Sequence, residues 1–292
     1  MPATIDARDY LRSYHGRVKP PSKDCPLFDH QLDAPSVFTP EDLVSAVRTS
    51  KGLPGEQIPS LCVLDFDGDL TDWLVREGKA TPFAPWACFH TTMYLVQAEG
   101  TRCGVIARSI GGPYAVLIAE QLRVAGAQLI LGITSAGRVS PTLPLPSFVV
   151  ATSAVRDEGT SLHYLPASRS VECPTSITPL LSAELAKLGW PVVQGEVWTT
   201  DAPYRETTAQ LERHAADGVL AVEMQAASLF AFATARPVGV GMVAHLTNAV
   251  DHSDEQFDKG TEEDSFAILR AMMRAGRAYL EAVNLEAMPS EV

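Results

Sequence analysis

The sequence predicts an α/β domain in which helices cover both faces of a central sheet. The first observation is that, from Leu61 onward, short apolar runs alternate with segments of helical period. The second is that 292 residues, 46% hydrophobic and 20% charged, are enough for one large folded core. The runs interpreted as strands are LCVLDF, RCGVIA, QLILGI, SFVVAT, VVQGEVW, VLAV and VGVGMVAH, at 61–66, 102–107, 128–133, 147–152, 192–198, 219–222 and 238–245.

The region before these runs is expected to be an extension and not a second core. It is rich in proline and polar residues, as in KPPSKDCPLFDHQLDAPSVFTPEDL and KGLPGEQIPS. One short helix is predicted there, Pro40–Thr49, with Thr39 as its N-cap. The last predicted helix, about Glu262–Val283, closes the domain, and the residues after it are expected to fray. The predicted division is an extension or arm, a domain and a tail: 1–58, 59–284 and 285–292.

A βαβ unit is predicted at RSIGGPYAVLIAEQLRVAGAQLILGITSAGRV, residues 108–139, which ends in a small-residue loop. Gly111 and Gly112 remove side chains where the chain turns, and Pro113 suits a first helical turn because it lacks an N–H. Gly126 is the predicted helix stop. Because a bare helix N-terminus attracts anions, a phosphate or a sugar hydroxyl is expected at the two glycines. The alternative is a tight structural turn.

Composition and charge exclude several classes of protein. The formal net charge of −12 argues against a broad nucleic-acid surface, which needs many Lys and Arg on one face. No apolar run approaches the roughly 20 residues that span a bilayer, and the first residues lack an apolar signal segment, so we expect a cytoplasmic protein that does not bind membranes. The 5 cysteines are scattered and form no C-x-x-C pair, so neither a disulfide framework nor a metal site is expected.

Three stretches, taken together and in order, resemble the nucleoside phosphorylase superfamily. They are SIGGPYAVLIAEQLRVAGAQLILGITSAGRV, DEGTSLHYLP and GVLAVEMQAASLFAFA. This superfamily groups purine nucleoside and uridine phosphorylases with nucleosidases. A GIGGP-like turn, a GS/TxG loop and an E-M-E-like motif before a helix are more specific as an ordered set than any one alone. The resemblance implies a phosphorylase-like three-layer α/β/α sandwich with a mixed, partly closed central sheet. It also implies a homo-oligomer, a dimer or a hexamer.

The resemblance implies an anion site made from loops. In TSAG, Ser135 corresponds to the small hydroxyl residue that contacts phosphate or ribose in this superfamily. Gly68, in the loop after the first strand, and the turn at Gly111 and Gly112 complete the expected phosphate site. Inorganic phosphate is then the expected co-substrate, with no other cofactor.

The expected ribose site follows from the motif VEMQ. Met224 corresponds to the methionine under the ribose, and Glu223 keeps the first carboxylate of the superfamily motif. Gln225 stands where a second glutamate usually holds the ribose hydroxyls, so a charge-assisted hydrogen bond is lost. His30 resembles the N-terminal histidine that a neighbouring subunit lends to the 5′-hydroxyl.

The expected base site combines two stretches. Ala136 and Gly137 correspond to the loop that lines the base. In WTTDAPYRE, Tyr204 is the candidate for stacking on the base, which is worth roughly 1 to 3 kcal/mol for an aromatic face. Arg205 is either a hydrogen-bond donor to a pyrimidine carbonyl or a solvated charge. Asp201 is either a turn residue or one that also orders the pocket.

The sequence departs from the superfamily pattern at the arginines that bind phosphate. Asp72 and Gly132 stand at two of these positions, and ACFHTTMY supplies no arginine at the third. Arg76, Arg108 and Arg138 are near in sequence and are the candidate replacements. A carboxylate about 4 Å from an anion costs several kcal/mol at intermediate dielectric, so the resemblance alone does not establish phosphorolysis.

The acid that protonates a leaving purine is expected in the loop LTNAVDHSDEQFDKG. The alignment places it at Asn248, or at Asp251 after a short gap. These two residues are the catalytic candidates.

Three functions stay open at this stage. The first, and the one that the sequence favours, is an enzyme that cleaves a purine or pyrimidine nucleoside by phosphorolysis, with Ser135 and the glycine amides holding phosphate; the other two are its alternatives. The second is hydrolysis, with a carboxylate such as Asp67, Asp69 or Asp72 activating water. The third is nucleoside binding without catalysis. In each case the expected partner is a nucleoside.

Overall fold

A single mixed sheet organises the computed structural model, which describes residues 25–249 and 262–286. The strands of this sheet are β1 (Leu61–Asp65), β2 (Ala80–Pro82), β3 (Met93–Ala98), β4 (Thr101–Ala107), β5 (Leu129–Arg138), β6 (Ser147–Asp157), β7 (Ser170–Glu172), β8 (Val192–Thr200), β9 (Ala221–Glu223) and β10 (Gly239–Ala249). The α-helices are α1 (Pro40–Lys51), α2 (Asp69–Arg76), α3 (Gly112–Ala125), α4 (Thr178–Ala186), α5 (Thr208–Ala216), α6 (Ala226–Ala235) and α7 (Glu262–Glu286). Short 3₁₀ turns lie at Pro26–Phe28, Thr160–His163 and Pro203–Arg205.

The strand order makes the sheet partly closed. Along the sheet the order is β10-β6-β8-β9-β5-β1-β4-β3-β2, and β10 also pairs with β5. The strands β5, β10, β6, β8 and β9 therefore close into a ring, and β1, β4, β3 and β2 extend from it. β1 pairs in parallel with β4 and β5, whereas β3 pairs antiparallel with β4. The mixed, partly closed sheet that the resemblance implied is confirmed.

Two hydrophobic clusters lie on opposite faces of the sheet. Ile118 of α3 and Phe230 of α6 belong to the cluster on one face. Leu74 of α2, Leu181 of α4 and Met272 of α7 belong to the cluster on the other face. Each of these side chains is fully buried, and burying a side chain of this size stabilises a fold by about 1.5–3 kcal/mol. The predicted α/β/α layering is therefore confirmed.

The helix α1 in the N-terminal region forms where it was predicted and runs two residues further. Thr39 accepts a hydrogen bond from Asp42 N, and the Asp42 carboxylate accepts one from Thr39 N, both at 3.1 Å, which completes a capping box. Gly52 ends the helix in the left-handed conformation, with φ 59°. The helix packs against the rest of the fold through Val47, which shares a cluster with Ala87.

The predicted βαβ unit is present, with one difference in its last segment. Helix α3 begins at Gly112 and is capped by Gly126, as expected. The residues expected as a loop, 134–137, instead continue β5. They do so because Ser135 pairs with His245 of β10 and Gly137 pairs with Val222 of β9. Two neighbouring strands therefore fix the TSAG residues in position.

In the described part of the chain, no helix combines the length and the apolar character that a bilayer span requires. Nor do three or more His, Cys, Asp or Glu side chains of these residues come together as a group able to hold a metal ion.

Candidate active site

A cavity of about 510 Å³ opens where β1, β5 and β9 deliver polar residues to one edge of the sheet. Asp67 follows the end of β1, Ser135 lies in the last part of β5, and Glu223 is the last residue of β9. Ligands commonly bind at the carboxyl ends of strands in such sheets. The cavity is lined by Asp67, Ile110, Thr134, Ser135, Ala136, Gly137, Pro203, Tyr204, Glu206, Val222, Glu223, Met224 and Gln225.

The donors of Ser135 bind a carboxylate of the same chain. The backbone N–H of Ser135 donates to one oxygen of Asp67 at 2.7 Å, and the hydroxyl donates to the other oxygen at 3.1 Å. These are the donors expected to hold phosphate. Asp67 therefore stands in the place predicted for the anion, and its carboxylate faces the cavity.

A buried carboxylate shapes the loop that carries Asp67. Asp65 accepts hydrogen bonds from Gly68 N at 3.1 Å, from Thr71 N at 2.8 Å and from the Thr71 hydroxyl at 2.7 Å. Burial raises the pKa of Asp65, while the hydrogen bonds from Thr71 and Gly68 lower it. Asp65 thus closes the turn between β1 and α2 and fixes the position from which Asp67 reaches Ser135.

Glu223 is part of the cavity wall and is held by three donors. The Thr199 hydroxyl donates to one of its oxygens at 2.5 Å, because β8 and β9 pair in parallel with these two residues in register. The other oxygen accepts from Gln225 N at 2.6 Å and from Ala226 N at 2.8 Å at the start of α6. Burial raises the pKa of Glu223 to about 7, against the lowering effect of these hydrogen bonds.

Of the two polar groups of the Gln225 side chain, the oxygen is hydrogen-bonded within the described part of the chain. The side-chain oxygen of Gln225 accepts from Met224 N at 3.2 Å. Gln225 is 2% exposed and nevertheless lines the cavity together with Met224. The two residues that the resemblance assigns to ribose therefore lie side by side on one wall.

The cavity wall also contains an aromatic ring and a further carboxylate. Tyr204 is 99% exposed, at the mouth. Glu206 is half-buried, and burial raises its pKa. Glu206 was not among the predicted site residues, although this glutamate ends the stretch WTTDAPYRE that was assigned to the base. Its position two residues after Tyr204 was the available signal.

Seven of the predicted site residues line this one cavity. The phosphate, base and ribose candidates that it brings together are Ser135, Ala136, Gly137, Tyr204, Glu223, Met224 and Gln225.

The three glycines predicted to bind phosphate, Gly68, Gly111 and Gly112, do not line the cavity. The Cα of Gly112 faces the Ser228 hydroxyl so closely that a side chain there has no room. Gly111 has open space around it and φ 87°. Gly68 is covered by the side chain of Arg108. The structural-turn alternative therefore accounts for Gly112, which packs against α6.

Three other predicted residues face different surfaces. The ring of His30 lies 4.0 Å from that of His163 in the same chain. Asp201 accepts a hydrogen bond from Gly159 N at 2.9 Å and lines a separate groove with His163. Arg205 lines a further polar cavity of about 380 Å³.

The two catalytic candidates from the sequence are only partly covered by the structure. The backbone of Asn248 belongs to β10 and pairs with Gly137 of β5. The side chain of Asn248 and the whole of Asp251 lie outside the described residues. Their assignment stays a prediction.

The candidate replacement arginines have other partners. Arg108 forms an ion pair with Asp72, the residue that stands at a superfamily arginine position. Arg76 pairs with the glutamate that follows it at 3.6 Å, and Arg138 donates to a backbone carbonyl at 3.1 Å. None of the three lines the cavity.

Packing explains the absence of an arginine at Gly132. A side chain at this position would collide with the sulfur of Met242 and the ring of Phe66. All three residues lie in the buried interior, so an arginine does not fit here without rearranging the strands.

The cavity is therefore acidic. Three carboxyl groups line it, those of Asp67, Glu206 and Glu223, of which Glu223 keeps its proton up to about pH 7, and no Arg, Lys or His of the described ranges does. Such a wall can place a carboxylate beside a reacting centre and stabilise developing positive charge. It offers little to a phosphate ion.

Comparison with known proteins assigns this chain to a family. The family model described as the phosphorylase superfamily matches residues 60–284. A guanosine phosphorylase of Halorubrum lacusprofundi is 28% identical over 183 residues, which cover 58% of this chain and 74% of that protein. The uridine phosphorylase of Escherichia coli is 27% identical over 209 residues, covering 65% and 80%. That of Salmonella typhimurium is 25% identical over 204 residues, also covering 65% and 80%. Since the match spans most of the chain, this protein belongs to the phosphorylase superfamily.

Proposed function

We propose that this protein cleaves the N-glycosidic bond of a nucleoside, with water as the acceptor and Asp67 as the general base. The observation that carries the proposal is the double hydrogen bond from Ser135 to the Asp67 carboxylate, at 2.7 and 3.1 Å. It places a carboxylate, which can accept a proton, in the position predicted for the phosphate ion. Membership of the superfamily supports the broader part of the proposal, which is action on a nucleoside.

The chemistry follows from the positions of the carboxylates. A nucleoside lies with its ribose against Met224 and Gln225 and its base towards Tyr204. As the C1′–N bond breaks, its electron pair leaves with the base, which takes up a proton from solvent, and C1′ becomes cationic. Asp67 removes a proton from water while the water oxygen bonds to C1′, and the negative charge of the cavity stabilises the cationic sugar.

Ser135 orients the general base in this scheme. Its N–H and hydroxyl each use one lone pair of the Asp67 carboxylate, and further lone pairs are free to accept from water. The carboxylate is thereby fixed before substrate binds, which lowers the entropic cost of reaching the reactive geometry.

A second candidate function is phosphorolysis, and one observation favours it. The side chain of Arg108 lies across Gly68, the glycine that the resemblance assigns to phosphate. For phosphate to bind, Arg108 has to leave Asp72 and Asp67 has to release Ser135. The relatives named above as guanosine and uridine phosphorylases support this candidate as well.

The deciding experiment measures base release from a panel of ribonucleosides with and without phosphate, in water enriched in ¹⁸O. Hydrolysis predicts a rate independent of phosphate and a free ribose that carries the label at C1. Asp67→Asn is expected to lower kcat by about 100- to 10,000-fold, the usual contribution of a general base. Asp69→Asn is the matched control, since Asp69 is exposed two residues later and lies outside the cavity.

The alternatives give different results. Ribose 1-phosphate as the product, formed only with phosphate present, would overturn the hydrolytic proposal in favour of phosphorolysis. Tight binding of a nucleoside without release of base under either condition would support the binding protein instead. If Asp67→Asn and Asp69→Asn lower kcat equally, Asp67 is not the general base.

A further inference from the structure

The segment formed by residues 25–38 lies on the surface of the fold, away from the cavity. None of its residues is buried. Within the described part of the chain its backbone hydrogen bonds stay inside the segment, as from Phe28 N to the Cys25 carbonyl at 3.0 Å. The attachment of the segment therefore depends on side-chain contacts. Its 3₁₀ turn, Pro26–Phe28, contacts the turn Thr160–His163.

Two histidines form the centre of this contact. The ring centroids of His30 and His163 are 4.0 Å apart, and the ring planes are inclined by 39°. Leu27 lies beside them, with its Cδ1 atom 3.8 Å from the position of a Cβ atom added at Gly159. The Nε2 atom of His30 is buried and has no hydrogen-bond partner among the described residues. A protonated His30 would therefore hold a charged N–H group away from water and without an acceptor.

Protonation of both rings turns this contact from attraction into repulsion. Two like charges at this separation repel each other strongly in a partly buried site, where little water screens them. Burial and His30 lower the pKa of His163, and Glu158, which raises this pKa, does not offset them. The Glu158 carboxylate already accepts hydrogen bonds from Ser161 N at 2.9 Å and from the Ser228 hydroxyl at 2.7 Å.

The other charged groups near the pair affect its first proton more than its second. They are Arg156, Glu120, Asp201 and Asp29. Arg156 donates to a hydroxyl of the same turn at 2.8 Å and disfavours positive charge there. Glu120 and Asp201 line a groove with His163, but Glu120 is paired with an arginine at 3.4 Å and Asp201 accepts a backbone N–H at 2.9 Å. Asp29 is exposed to water. These carboxylates favour one imidazolium, whereas a second one meets the first at 4.0 Å.

We infer that His30 and His163 form a pH-sensitive clasp, which holds residues 25–38 on the turn Thr160–His163 near neutral pH and releases them when both rings are protonated. Release lets His163 titrate near its ordinary value of 6.5, so the released form binds more protons than the attached form. A form that binds more protons is favoured as pH falls. Attachment is therefore unaffected well above pH 6.5 and weakens below it. The clasp does not depend on the proposed function.

Nuclear magnetic resonance of the full chain tests the clasp directly. The leucine methyl signals report attachment through Leu27, and the Cε1–H signals of the histidines report protonation. From about pH 7.5 to about pH 5 we expect the ratio of released to attached segment to rise about tenfold or more. The ceiling is about thirtyfold for each histidine that stays neutral while attached and has an ordinary value of 6.5 after release. The Leu27 signal is expected to change over the same pH range as the His163 signal.

Substitution by phenylalanine separates the ring contact from its charge. In His30→Phe a ring still stacks on His163, but only one positive charge can form, and a phenyl face attracts an imidazolium. We therefore expect the segment to stay attached across the whole pH range. His30→Ala removes the ring and is expected to release the segment at every pH. His90→Phe is the matched control, because His90 is an exposed histidine outside the clasp, and it is expected to respond to pH as the wild type does.

The results that overturn the clasp are equally specific. A Leu27 signal that does not change with pH in the wild type contradicts it. So does a change that is the same in the wild type and in His30→Phe, since repulsion between two imidazolium rings is then not the cause. His163→Phe gives the reciprocal test and decides the question if His30→Phe does not fold. If neither variant folds, a wild-type Leu27 signal that changes outside the pH range of both histidine titrations overturns the inference.

Discussion

Glu223 makes the stability of this protein depend on pH in a direction that can be worked out. Its carboxyl is fully buried, and burial raises its pKa from 4.5 to about 7. In the unfolded chain the same group titrates near its ordinary value. Between these two pH values the folded state holds a proton that the unfolded state has already lost, so the free energy of unfolding falls as pH rises.

The size of the effect follows from the width of that interval. A shift from 4.5 to about 7 corresponds to about 3 kcal/mol at most, since one pKa unit is worth 1.36 kcal/mol. The loss is absent below pH 4.5, develops through the interval and is complete above about pH 7. Burial is the largest cause of the raised pKa of Glu223, and the hydrogen bonds donated by Thr199, Gln225 and Ala226 lower this pKa in part.

Glu223→Gln removes the titration and keeps an oxygen that can accept from one of these donors. Urea unfolding of the wild type and the variant, followed across this pH range, measures the difference. We expect the wild type to lose stability relative to Glu223→Gln as pH rises, with a difference that changes by about 3 kcal/mol or less. Carboxyls that do not interact with Glu223 titrate equally in both proteins, so their contributions cancel in the comparison. A difference between the two proteins that stays constant with pH would refute the argument.

Two further predictions concern packing and the sugar. Gly112→Ala is expected to lower the free energy of unfolding by about 1–3 kcal/mol, because the new methyl group displaces Ser228, whose hydroxyl donates to Glu158 at 2.7 Å. Denaturant unfolding measures this loss. Gly111→Ala, at an open position with φ 87°, shows separately the effect of backbone strain without a collision. Gln225→Glu is expected to strengthen ribose binding by about 1 kcal/mol. Gln225→Ala is expected to weaken the binding of ribosides more than that of 2′-deoxyribosides. Both effects are measured as kcat/KM for matched pairs such as uridine and deoxyuridine. If the substitutions change kcat/KM equally for ribosides and 2′-deoxyribosides, Gln225 does not contact the ribose.

The sequence predicted those elements whose signals are local. The ends of α3 were predicted because glycine and proline act within one turn of the chain, and the capping box of α1 is likewise a contact between residues three apart. Strand β3 at Met93–Ala98 was missed. It forms by pairing with β4 and β2, and an alternating pattern such as MYLVQA becomes decisive only with those neighbours.

The candidate site shows the same limit. Contiguous motifs placed Ser135, Met224 and Gln225 at one cavity, because each motif lies at a strand end that the fold brings to one edge. The sequence named Asp67 as one of three candidate bases and had no means of choosing among them. The proposal of Asp67 as the base rests on its contact with Ser135, which joins residues 68 positions apart.

Gly112 shows why one signal can have two meanings. A glycine at a helix start permits close approach of either a ligand or another side chain, and the sequence pattern is identical in both cases. Ser228, more than a hundred residues later, occupies the space. Only the packing of α6 against α3 distinguishes the structural turn from the binding turn.

The departures from the arginine pattern are physically connected. Gly132 excludes a long side chain because Met242 and Phe66 fill the space beside it, so one cation is lost to packing. Asp72 does more than remove a second cation, since its ion pair also holds Arg108 away from the cavity wall. Asp67 then occupies the donors of Ser135 that an anion would need. Each change lowers the positive potential at the same edge of the sheet. Among the described residues, this absence of cations arises in several independent ways, and it supports water as the nucleophile in the proposed function.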